Sequence, residues 1–102
     1  MATIITFESY GQFLSNNNSG QNRGQFLSVA NYLAYVKKIA RTLGCTDEEF
    51  LNASLQQLKI WAIQIQDKPL YWTYSKRHRS DLASGFNAFI VYRRFLLGLV
   101  SF

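Results

Sequence analysis

The densest run of chemistry-bearing side chains is Lys76-Arg77-His78-Arg79-Ser80. Cations beside a helix start gather positive charge and unpaired backbone N–H groups around one spot, an arrangement that receives an anion. Ser80 adds a hydroxyl hydrogen bond at the same place. Just upstream, Tyr71, Trp72 and Tyr74 interleave aromatic surface with the charge, which suits stacking on bases or packing under sugars. A second basic group, Lys37, Lys38 and Arg41, lies opposite the apolar stripe of an earlier segment. The chemistry these groups predict is recognition of phosphate rather than the making or breaking of bonds.

Catalytic and metal chemistry need groups that this sequence lacks. His78 is the only histidine, so neither a multi-histidine metal site nor a Cys-His pair at ligand spacing is available. Cys45 is the only cysteine and cannot form an internal disulfide; its place between Leu43-Gly44 and Thr46-Asp47 predicts a half-buried, inert thiol at a helix junction. The glycines are scattered and build no phosphate-cradling loop, and the six carboxylates show no pattern beyond helix starts. The expectation is a binding protein with no enzymatic activity, no cofactor and no metal.

Composition agrees with that expectation. The 11 Lys and Arg against 6 Asp and Glu give a formal charge of +5 and a pI of about 9.6, a balance that favours polyanionic partners. An apolar share of 48%, with 16% aromatic, is ample for the core of one domain of 102 residues. The N-terminal Met1–Thr6 lacks the pattern of a signal peptide, and the apolar run from Phe95 to Phe102 is far shorter than the roughly 20 residues of a membrane span. A cytoplasmic protein that does not enter the membrane is expected.

The basic groups need elements to position them, and the spacing of apolar residues supplies these. Thr6 caps a short helix carrying Phe7, Tyr10, Phe13 and Leu14 on one face. The run Ser15–Gly24 has no apolar period and is rich in turn formers, so it is expected as a mobile surface loop. Ser28 through Leu43 is the clearest helix, with Val29, Tyr32, Leu33, Val36, Ile39, Ala40 and Leu43 on one face and Gly44 as its stop. Thr46-Asp47-Glu48-Glu49 is a capping box opening a short helix with Phe50 and Leu51. Ser54 opens the next helix, with Leu55, Leu58, Trp61, Ala62 and Ile65, which ends before Pro69. The last helix is expected from about Ser80, its cap, to Leu97, with Leu82, Phe86, Phe89, Ile90, Arg93, Leu96 and Leu97 marking its period. One of Arg93 and Arg94 should snorkel or pair with an acid, the other facing solvent. The fold class is therefore all-α, a compact bundle of four to five short helices. It forms a single domain over 1–102, with a short helix and loop in 1–25 and a helical core in 26–102.

Three of these segments carry a resemblance. Ser28-Val29-Ala30-Asn31-Tyr32-Leu33-Ala34-Tyr35-Val36-Lys37-Lys38-Ile39-Ala40 is similar to the first helix of the SAM-like core-binding domain of tyrosine recombinases and phage integrases. Ser80 through Leu96 resembles that domain's last helix, with its small residue, polar pair, aromatic and closing Phe-Leu; Leu55-Gln56-Gln57-Leu58 resembles the entry to its middle helix. The likeness runs from Phe26 to Leu97 and rests on apolar spacing. It implies a SAM-like bundle that clamps duplex DNA mainly through phosphates, with Lys37, Lys38, Arg41, Lys76, Arg77 and Arg79 facing the DNA. The Asn-rich N-terminal segment departs from the family pattern, and the family's separate catalytic domain has no counterpart here.

A second expectation starts from the apolar residues. Tyr71, Trp72 and Tyr74, together with Phe95, Leu99 and Phe102, would form a protein interface. Through it a small phage- or plasmid-type adaptor or inhibitor would dock, or the C-terminal helix would pair with a second copy.

Overall fold

The periodicities are realised as five α-helices in the computed structural model, which describes residues 4–16 and 28–98. They are α1 (Phe7–Asn16), α2 (Val29–Leu43), α3 (Asp47–Leu51), α4 (Leu55–Gln64) and α5 (Lys76–Leu96), and 3-10 turns at Ile65–Asp67 and Pro69–Thr73 join the last two. No strand occurs among the described residues; the architecture is an all-α bundle. The expected Asn-rich loop lies outside the described residues, except for Ser15 and Asn16, which belong to α1.

Four helix starts follow from their caps. Thr6 and Ser9 exchange bonds, each hydroxyl accepting from the other's amide at 3.1 and 3.0 Å. Ser28 accepts from the Asn31 amide at 3.3 Å, and Ser54 from the Gln57 amide at 3.0 Å. Thr46 and Glu49 close a reciprocal capping box, the carboxylate accepting from the Thr46 amide at 3.0 Å. At the end of α2, Gly44 takes φ 83°, and the amides of Gly44 and Cys45 turn back onto the Arg41 and Ala40 carbonyls. That left-handed turn, which a side chain would strain, aims the chain into α3.

The start of α5 corrects the sequence-based expectation. Its cap is Ser75, whose hydroxyl accepts from the His78 amide at 3.1 Å, and Ser80 lies exposed in the second turn. Lys76, Arg77, His78 and Arg79 therefore form the first turn of α5 and do not precede it. Ser80-Asp81 reads as a good cap because it keeps cations off the positive helix end; the fold accepts that local cost.

The core is aromatic. Tyr10, Phe50 and Phe89 are fully buried, with the Tyr10 and Phe89 rings edge to face at 5.0 Å and those of Phe50 and Phe89 tilted at 5.2 Å. The face of α5 that enters this core is Leu82, Gly85, Phe86, Ala88, Phe89 and Tyr92. Leu96 and Leu97, expected to extend it, are 49% and 62% exposed. The α2 and α5 backbones approach closely where a Cβ on Gly85 would stand 2.6 Å from the Tyr35 Cβ, so only glycine fits there. That crossing holds the C-terminal half of α2 against the start of α5. Asn52 ties the chain's beginning to α3, its amide group accepting from the Ile5 N–H at 2.8 Å and donating to the Ile5 carbonyl at 3.1 Å. No helix among the described residues is long and apolar enough to cross a membrane.

Candidate functional site

Tyr74 joins the two basic groups that the sequence leaves apart. It sits between the Pro69–Thr73 turn and the Ser75 cap, opposite α2. The buried Thr42 hydroxyl donates to the Lys38 carbonyl at 2.7 Å and so accepts from the Tyr74 hydroxyl at 2.9 Å. The Lys38 ammonium stands 4.6 Å from the centre of the Tyr74 ring, a cation–π contact across α2 and the connection. The His78 ring meets the same tyrosine edge-on at 5.3 Å. Arg79 closes the arrangement, its guanidinium donating to the Tyr74 carbonyl and lying 4.8 Å from the centre of the Trp72 ring.

The six basic residues expected at the site thus fall into three situations. Lys38 and Arg79 are half-buried and committed to aromatic rings, so part of their role is to hold the connection in place. Lys37 turns the other way, its ammonium 5.1 Å from the Phe7 ring centre on α1. Arg41, Lys76 and Arg77 are exposed. Arg77 and Asp81, one helical turn apart, both act on the Tyr35 phenol of α2. Burial raises its pKa first and Asp81 adds to this, while Arg77 opposes them. Ser80 is brought to the same helix end but caps nothing.

The residues expected at a protein interface are divided in the same way. Trp72 is 58% exposed, with its indole N–H donating to the Gln66 carbonyl at 2.7 Å. Tyr71 and Tyr74 are half-buried and pack against the core. Phe95 is partly exposed and tilts against Phe13 with ring centres 5.2 Å apart. Leu99 and Phe102 lie outside the described residues. Arg93 finds a carbonyl rather than an acid: it donates to Leu51 O at 3.0 Å, and burial lowers its pKa, while Arg94 is exposed.

No group of three or more His, Cys, Asp or Glu side chains positioned to hold a metal occurs among the described residues. Burial raises the pKa of the half-buried Cys45 thiol, and Glu49 adds to the shift. Sequence reasoning missed Thr42 and the core-facing side of His78. Both are polar types set among charged neighbours, and only the tertiary contact with Tyr74 reveals their place. A comparison of the chain with protein families, curated proteins and solved structures finds no match.

Proposed function

We propose that the chain is a non-enzymatic DNA-binding module whose basic face, from Arg41 on α2 to the first turn of α5, takes duplex phosphates without reading base sequence. The observation that carries this reading is the first turn of α5, which holds Lys76, Arg77 and Arg79 and no acidic residue. Cations there oppose the helix dipole. The contrast with α3, whose first turn is Asp47-Glu48-Glu49, is direct. A phosphate at α5 supplies the negative charge that the local sequence withholds. Arg41 on α2 is exposed as well, three residues beyond Lys38, whose ammonium meets the Tyr74 ring. The resemblance to recombinase core-binding domains points to the same basic residues, and it is compatible with a part of a larger DNA-processing system or with a stand-alone protein that reuses the architecture.

Fluorescence anisotropy with a labelled duplex at two salt concentrations tests the proposal. Binding should be micromolar or tighter at low salt and should fall steeply as salt rises, as counterion release demands. Absence of binding at low salt would contradict it.

A second reading has its own observation. Ile4, Leu96 and Leu97 are 74%, 49% and 62% exposed, a share of apolar surface that suits a protein partner or a second copy. Sedimentation of the protein and of Leu96→Lys decides whether this end self-associates.

A further inference from the structure

We propose that the cleft between α4, the Ile65–Asp67 turn and α5 receives a single unpaired nucleobase; this rests on the nucleic-acid reading above and adds a base subsite beside the start of α5. Ile65, Leu82 and Phe86 make an apolar floor, and Ala62 on α4 and Ala83 on α5 leave the walls open. Gln66 and Asn87, which carry amide side chains, are among the lining residues, and both residues are exposed. Apolar walls with amide donors and acceptors match a flat heteroaromatic ring: the faces pack and the edge is hydrogen-bonded. The space is about 100 Å³, well under the roughly 300–1,000 Å³ of pockets for drug-sized ligands, so one ring enters and its sugar and phosphate stay outside.

Position links the cleft to the cations. Arg79, Ala83 and Asn87 follow one another at four-residue spacing along α5, so the arginine stands one turn above the opening on the same face. Tyr71 lines the cleft, and its ring centre lies 6.0 Å from the Arg79 guanidinium. A strand whose base enters the cleft thereby brings its phosphate toward the start of α5.

The test compares a labelled duplex carrying one bulged base with the same duplex fully paired, at two salt concentrations. The variants are Ala83→Leu, which fills the cleft from an exposed helical position, and Asn87→Ala at its rim. The bulged duplex should bind roughly five- to 150-fold more tightly than the paired one, the range that stacking of one base provides. Ala83→Leu should erase that preference, and Asn87→Ala should reduce it, each leaving the salt slope as it was. Equal binding of the two duplexes, or a preference that survives Ala83→Leu, overturns the cleft proposal and leaves the phosphate reading standing. Loss of all salt-dependent binding in the unmodified protein overturns both.

Discussion

Several residues make commitments that single substitutions can expose. Tyr10 is fully buried in the aromatic core, its hydroxyl has no hydrogen-bond partner among the described residues, and burial pushes its pKa far above the ordinary tyrosine value. Tyr10→Phe removes an unsatisfied group while keeping the ring contacts. Urea unfolding should show stability unchanged or raised by about 1 kcal/mol; a loss of that size would mean that the hydroxyl is satisfied in the folded protein. Glu49 is held below the usual glutamate range, chiefly by the Thr46 amide. A depressed folded pKa means that its contribution is fully present above the unfolded value of about 4.3 and is lost as pH falls through the folded value. Glu49→Gln should therefore flatten part of the acid limb of the stability–pH curve and leave the neutral region nearly unchanged. Parallel curves for the two proteins would dissociate the capping box from acid sensitivity.

At the scale of elements, caps and crossings separate what the sequence makes legible from what it hides. The stripes of α1, α2 and α4 are readable because periodic apolar residues and flanking Thr6, Ser28 and Ser54 agree. The start of α5 is hidden because Ser75 caps it five residues ahead of Ser80, and the resulting first turn of Lys76, Arg77, His78 and Arg79 opposes the helix dipole. Ser75→Ala should cost about 1 kcal/mol, typical of a lost cap, and Ser80→Ala little. Thermal unfolding of the two variants decides between the boundaries. Two helical glycines should respond with opposite signs. Gly11→Ala meets nothing closer than a Leu33 methyl at 3.6 Å, so it should gain roughly 0.5–1 kcal/mol of helix propensity. Gly85→Ala drives a Cβ into Tyr35, and overpacking of about 1–3 kcal/mol should outweigh the same gain. Nothing in Ser84-Gly85-Phe86 announces that crossing, because the requirement belongs to another helix.

For the whole molecule, the arrangement of the helices turns two separate basic motifs into one candidate face. The residue types and the all-α class are legible along the chain. The junction is not, since Thr42, Lys38, Tyr74, His78 and Arg79 meet only once α2 lies along α5. Lys37 shows the converse: its position in the sequence places it with Lys38, but one residue along a helix sends it to Phe7 instead. Half-buried Lys38 and Arg79 are poor probes of binding, because their loss also loosens the connection. The exposed Arg41 and Arg77 report on phosphate contact with little structural side effect.

The most direct measurement is the salt dependence of duplex affinity for Arg41→Ala, Arg77→Ala and the double variant beside the unmodified protein. Each lost phosphate contact should reduce the slope of log affinity against log salt by about 1, the two reductions adding in the double variant while the melting temperatures stay together. Four parallel slopes, or no binding of the unmodified protein at low salt, would contradict the account.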